Sequence, residues 1–145
     1  MPRPSAVGVR LAESDAEIAA CFPVMQQLRP HLRAEEFVQL IRTRMPGDYR
    51  LAYIEVDGRP VAVAGFRITE KLSAGRFLHI DDLVTDQSRR SRGHGAHLLS
   101  WLRSLAREQG CHSIQLDTGV QRKEAQRFYE REGMRLSAVH YECDP

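Results

Sequence analysis

From Arg76 to Leu116 a β-type segment, "RFLHIDDLVT", passes through "RRSRGHG" into a leucine-striped segment and then into a second β-type run, "HSIQL". Leu98, Leu102, Leu105 and Ala106 recur at helical spacing, and Gly110 supplies a stop. Strand, helix and strand in succession predict two parallel strands joined by a right-handed crossover. A chain containing such a unit has to lay helices over a sheet, which removes all-helical and all-β architectures.

The rest of the chain reads compatibly. "VGVRLA" is an opening strand, and Ser14 or Asp15 can cap the helical run "AEIAACFPVMQQL", which Pro23 kinks or bounds. Phe37, Leu40, Ile41 and Met45 mark a second helical run in "PHLRAEEFVQLIRTRM", which "PGD" ends. "YRLAYIEVDGRPVAVAGFRI" is a pair of β-type runs joined through Asp57-Gly58, the preferred chemistry of a tight hairpin. "RKEAQRFYEREG" is a last helix ended by Gly133, and "MRLSAVHYEC" is extended. The predicted order is β-α-α-β-β-β-α-β-α-β, a mixed α/β fold in one domain over residues 1–145.

Composition limits the functions available. Twenty-one basic and 19 acidic residues leave a net charge of +2, so no global field argues for nucleic acid or a membrane surface as partner. No apolar run is long enough to span a bilayer, and "MPRPSAVGVRLAES" lacks the apolar centre of a signal peptide, which predicts a cytoplasmic protein. Cys21, Cys111 and Cys143 are odd in number and widely spaced, without a C-x-x-C pair, and read as reduced, mostly buried thiols with no metal role.

"RRSRGHGAHLL" carries the chemistry. A helix start offers unpaired backbone N–H groups and partial positive charge. Gly93 and Gly95 let a ligand approach the main chain, and Arg90 and Arg92 add charge nearby. These features describe a phosphate or pyrophosphate site; on the residues alone, a loosened loop bearing solvated arginines describes them equally. A Walker A loop is excluded because Gly95-Ala96-His97 stands where Gly-Lys-Ser/Thr is needed, and a Rossmann fingerprint because Leu98 stands where a third Gly or Ala is needed. No aromatic platform accompanies the arginines, as a nucleic-acid site would require.

The segment Arg90-Ser91-Arg92-Gly93-His94-Gly95 matches the Q/R-x-x-G-x-G/A coenzyme loop of the GNAT superfamily of acyl-CoA-dependent N-acetyltransferases, which the sequence resembles. "IDDLVTDQSRR" resembles the strand that feeds this loop, and Ala125, Phe128, Tyr129 and Gly133 fall on the family's A-x-x-F-Y-x-x-x-G-F segment, with Met134 in place of the final Phe. The resemblance is strong from Phe77 to Met134 and architectural before that. It implies the GNAT fold, a mixed central sheet of about six to seven strands flanked by about four helices. It also implies acetyl-CoA as co-substrate, no metal, and an amine acceptor. The pyrophosphate would lie on the backbone from Arg90 through Ser91, Arg92, Gly93, His94 and Gly95 to Ala96, and the pantetheine arm on the main chain of Leu83, Val84 and Thr85, where an N–H would polarise the thioester carbonyl. Arg122 replaces the Asn many relatives carry there and would reach a phosphate instead. The short closing segment leaves one wall of the acceptor groove to be reduced or supplied by a second copy, as in a homodimer.

The implied chemistry needs a base, because an alkyl ammonium of pKa ~10.4 cannot attack a thioester. Alternation along "FLHIDDLV" sets Phe77, His79, Asp81 and Leu83 on one face and Leu78, Ile80, Asp82 and Val84 on the other. His79 and Asp81 stand where relatives carry proton acceptors, with Asp81 as base and His79 sharing or relaying the proton. Asp82 is the rival, since burial among Leu78, Ile80 and Val84 would make it more basic, and a β-bulge would exchange the faces. Tyr129 stands at the family's tyrosine and would protonate the leaving thiolate. Arg29, His31 and Arg33 in "LRPHLR" suit an acceptor bearing a carboxylate, or form a solvated basic loop. A GNAT-like module that binds acyl-CoA without turnover is the alternative function.

Overall fold

The computed structural model describes residues 8–145. Its elements run β1 (Val9–Leu11), α1 (Asp15–Ala20), α2 (Phe22–Leu28), α3 (Ala34–Arg44), β2 (Tyr49–Val56), β3 (Arg59–Lys71), β4 (Gly75–Thr85), α4 (His94–Glu108), β5 (Ser113–Leu116) and α5 (Lys123–Arg131). The predicted opening strand begins within the described residues only at its Gly8; Val7, and most of the stretch read for a signal peptide, lie outside them. The strands form one sheet in the order β1-β2-β3-β4-β5. The chain divides into two compact units, one up to Gln115 and one from Leu116 onward.

In the first unit local chemistry places the boundaries. Ser14 caps α1 by accepting from Glu17 N, while the Glu17 carboxylate accepts from Ser14 N, a complete capping box. Pro23 occupies the first turn of α2, where its missing N–H costs nothing, so the predicted single helix is two. Asp57 and Gly58 both adopt positive φ, 52° and 79°, the geometry that joins β2 to β3 through two residues. Helices α1–α3 cover one face of the sheet around Ile18, Met25, Phe37, Leu51 and Val63, all at most 3% exposed. Each such side chain contributes about 1.5–3 kcal/mol by burial. Helix α4 covers β3 and β4 on the other face through Leu98, Leu99 and Leu102, with Trp101 edge-on to Phe66 at 6.3 Å.

The second unit holds α5. Its N-terminal loop is tied down by Gln126, whose side-chain amide donates to the carbonyls of Gly119 and Val120. Phe128 and Tyr129 pack edge to face, and Gly133 ends the helix at φ 92°. The predicted extended segment from Met134 carries no strand ladder, so five strands rather than six make up the sheet among the described residues. Leu136, Val139 and Tyr141 in that segment are exposed.

Candidate active site

The centre of β4 departs from simple alternation. Asp82 pairs across the sheet with Gly65 and Ile80 with Phe66, leaving Asp81 without a partner on β3. This is a β-bulge, and it resets the phase of the strand. Ile80 follows its partner Phe66 toward α4, whereas His79, opposite Arg67, lies on the other face of the sheet. Beyond the extra residue Asp82 and Val84 face that same side. The bulge therefore does not exchange Asp81 for Asp82. It brings His79, Asp81 and Asp82 together, and the predicted burial of Asp82 among Leu78 and Ile80 does not occur.

Two polar clusters result, side by side. In the first, His79 Nδ1 lies 2.7 Å from Asp81 Oδ1, and Arg67 from β3 holds the same carboxylate at 3.1 Å. Burial pushes the Asp81 carboxyl up, but the hydrogen bonds from His79 and Arg67 and the Arg67 charge outweigh it, so its pKa falls below the ordinary carboxylate range. Asp81 is thus an ionised partner for the imidazole. Accepting from Nδ1–H, it leaves Nε2 as the ring's free acceptor position.

In the second cluster Arg29, at the end of α2, donates to Asp82 Oδ1 at 2.8 Å and to the Asp81 carbonyl at 3.0 Å. Tyr49 from β2 donates its hydroxyl to Asp82 Oδ2 at 3.0 Å. Burial, followed by the charge of Asp82, pushes the Tyr49 phenol far up, so it remains a donor. Gly65 makes this reach possible: a Cβ there would lie 1.8 Å from Tyr49 Oη and 2.9 Å from Asp82 Oδ2. Reasoning from sequence missed Tyr49, Gly65 and Arg67. One signal for them existed, since a glycine inside a strand pattern marks a bulge or a close approach.

Asp82 and Tyr49 line a cavity of about 280 Å³ whose other polar residues are Arg29, His31 and Arg44. Arg29 and His31 both line the cavity. Arg33 does not line it and pairs with Glu35 at 2.6 Å instead.

The glycine-containing turn lies between β4 and α4. A single turn of 3-10 helix spans Gln87–Arg89, after which Ser91 and Gly93 take positive φ of 65° and 80°. Gly93 is the N-cap of α4, and no side chain caps the helix or places an acid in its first turn. The space where a Gly93 side chain would stand is open. Arg90, Ser91 and Arg92 are exposed, and His94, Gly95 and Ala96 are half-buried at the helix start. Burial and the charges of Arg89 and Arg92 lower the His94 pKa, so its ring adds no charge of its own at neutral pH. The turn is fastened to α2, because Gln27 donates to Asp86 Oδ1 and accepts from Gln87 N.

Leu83, Val84 and Thr85 end β4 opposite Ala64, Val63 and Ala62 of β3. On the β5 side, His112 N donates to Arg76 O at 2.7 Å at the far end of β4. The three residues Ser113–Gln115 extend only about 10 Å at strand rise. Leu83, seven positions along from Arg76, lies beyond their reach.

In the second unit Tyr129 is half-buried on α5, and burial raises its phenol against the opposing charge of Arg122, the exposed N-cap residue of that helix. Cys21 is buried and its thiol is pushed up to about 12, chiefly by burial, while Cys143 is exposed. Among the described residues no group of three His, Cys, Asp or Glu is placed to hold a metal ion, and no helix is long and apolar enough to cross a membrane.

Comparison with known proteins accords with this architecture. The chain is 32% identical over 117 residues to the uncharacterized N-acetyltransferase YhdJ of Bacillus subtilis, covering 80% of this chain and 82% of that one. It is 38% identical over 94 residues to the aminoalkylphosphonate N-acetyltransferase of Salmonella typhimurium, covering 64% of this chain and 60% of that one. The crystal structure of glucosamine-6-phosphate N-acetyltransferase from Arabidopsis thaliana superposes with a TM-score of 0.74 at 26% identity, covering 94% of this chain and 97% of that one. The sequence profile of the acetyltransferase (GNAT) family matches residues 14–134, so the chain belongs to that family and is an acyltransferase.

Proposed function

We propose that the protein transfers an acetyl group from acetyl-CoA to the primary amine of a small acceptor, and that residues 1–145 form one acyltransferase domain. The observation that carries this reading is the β4 bulge, which sets a carboxylate-oriented imidazole on the same face as an ion-paired carboxylate that lines a cavity. A cavity of about 280 Å³ suits a small molecule, since pockets for such ligands start near ~300 Å³. Two of the named relatives are, by name, N-acetyltransferases of amines that bear a phosphonate or a phosphate.

In this reading the unfilled donors from Arg90 to Ala96 take the pyrophosphate, as the left-handed Ser91 and Gly93 and the uncapped α4 support. Arg122 supplies additional charge for phosphate. The main chain of Leu83, Val84 and Thr85, beyond the reach of Ser113–Gln115, takes the pantetheine arm, and an N–H there polarises the thioester carbonyl. His79 Nε2 removes the proton from the acceptor ammonium, and Asp81 orients the ring and stabilises the imidazolium. The freed amine nitrogen attacks the carbonyl carbon, the C–S bond breaks, and the thiolate takes a proton from Tyr129. Asp82, neutralised by Arg29, positions the acceptor rather than acting as base. The role of Tyr129 rests on its place in the family segment.

Calorimetry with acetyl-CoA, followed by thiol release with a panel of amines, tests the proposal. Saturable binding, amine-dependent thiol release and loss of binding in Gly93→Val are expected. Binding without thiol release for any amine would mark a sensing module, and undiminished affinity in Gly93→Val would overturn the phosphate site.

A further inference from the structure

The cavity against Asp82 is unevenly built. Its polar groups are Arg29, His31, Arg44, Tyr49 and Asp82. The remaining wall is wholly apolar: Met25, Leu32, Phe37, Leu40 and Ile41. Asp82 pairs with Arg29 and accepts from the Tyr49 hydroxyl. That leaves Arg44 and His31, both exposed.

Arg44 is the unspent charge. Its neighbours on the same helix and loop are used: Arg33 pairs with Glu35, and Arg42 with Asp15. Arg44 has no ion pair among the described residues and spends one N–H on the Leu40 carbonyl at 3.0 Å. The remaining donors of its guanidinium suit a planar or tetrahedral oxyanion. The cavity therefore combines a paired carboxylate, an apolar wall and the two exposed basic side chains Arg44 and His31. Its complement carries an ammonium, an aliphatic or aromatic body, and an oxyanion.

Building on the acetyl-transfer reading, we infer that the acceptor is an amine joined through an apolar body to a carboxylate or phosphonate, with Arg44 and His31 holding the oxyanion. The same wall disfavours an amino-sugar phosphate. Several hydroxyls would be pressed against Met25, Leu32, Phe37, Leu40 and Ile41 without partners, and each unmatched hydroxyl is costly to bury.

The test is calorimetry on the full chain saturated with CoA, using 6-aminohexanoate, 6-aminohexylphosphonate, hexylamine and glucosamine 6-phosphate. At least one of the two ω-amino oxyanions should bind about tenfold or more tightly than hexylamine, as expected for a hydrogen-bonded charge pair. Arg44→Gln should erase that preference. Arg33→Gln, which removes a charge outside the cavity, should keep it. The two oxyanion arms separate carboxylate from phosphonate. Equal binding of hexylamine, a preference that survives Arg44→Gln, tightest binding by glucosamine 6-phosphate, or no binding by any of the four would overturn the inference. Thiol release from acetyl-CoA is followed in parallel. Arg44-dependent binding with no turnover would sink acetyl transfer and leave standing only the oxyanion site at Arg44 and His31. Turnover of hexylamine with Arg44-independent binding would do the reverse.

Discussion

Gly65→Ala is the sharpest perturbation of the site. The new methyl carbon would stand 1.8 Å from Tyr49 Oη, 2.6 Å from Tyr49 Cζ and 2.9 Å from Asp82 Oδ2. Ordinary non-bonded approach is about 3.5 Å, so the phenol has to retreat by roughly 1.5–2 Å. Tyr49 is 4% exposed and packs in one cluster with Phe37 and Ile41, at 1% and 5%, so the ring can retreat only by displacing these neighbours or by entering the cavity that all three line. The retreat breaks the hydrogen bond to Asp82, worth about 1.5–3 kcal/mol for a charged acceptor. Overpacking of the ring adds about 1–3 kcal/mol. A loss of roughly 3–5 kcal/mol is expected, a large share of the 5–15 kcal/mol typical of a domain. Urea unfolding of wild type, Gly65→Ala, Tyr49→Phe and the double variant measures it. Because Tyr49→Phe removes the atom that suffers the closest approach, the double variant should lose at least about 1 kcal/mol less than the sum of the single changes. A loss below about 1 kcal/mol for Gly65→Ala, or strict additivity with Tyr49→Phe, would refute the close-packed Tyr49–Asp82 contact.

His79→Gln should lower kcat by about 10²–10⁴-fold, as for loss of a general base, while Asp81→Asn should lower it less; steady-state rates with a saturating acceptor decide, and the reverse order would make Asp81 the base. Asp81 also predicts a pH effect on stability. Its carboxyl is held below its ordinary value in the folded chain, so its contribution is complete above the unfolded pKa near ~3.9 and is lost as pH falls through the lowered value. The stability gap between wild type and Asp81→Asn in urea titrations should therefore close toward strongly acidic pH, and a gap that stays constant would contradict the Arg67 and His79 pairings. Tyr129→Phe should lower kcat and leave acetyl-CoA affinity, measured by calorimetry, within about twofold; an unchanged kcat would remove Tyr129 from the proton transfer.

The elements were legible where local chemistry decides them. Asp57-Gly58 announces the hairpin, Ser14 with Glu17 announces α1, and "GRFLHIDDLVT" coincides with β4. The two positive-φ residues of the turn before α4 were half legible: Gly93 is visible as a glycine, whereas Ser91 is not. The face of Asp82 was misread for a reason intrinsic to strands. Period-2 alternation carries information only while every residue has a cross-strand partner, and one unpaired residue inverts everything after it. Nothing local in "HIDDLV" says that Asp81 is that residue; the signal lies on the neighbouring strand at Gly65. Arg67, Tyr49 and Arg29 were hidden for the same reason, since their partners are 14, 33 and 53 positions away in the chain.

The bulge also explains why two adjacent carboxylates can take different tasks. In a regular strand Asp81 and Asp82 would face opposite layers, one under α4 and one under α2 and α3. Turned to the same side, they would repel each other unless each met a cation from a different element. Arg67 on β3 and Arg29 after α2 supply those cations, and the His79 ring lies against the Asp81 carboxylate as well. Removing either arginine should therefore disturb both carboxylates, because the bulge that gathers the site also concentrates like charge within it.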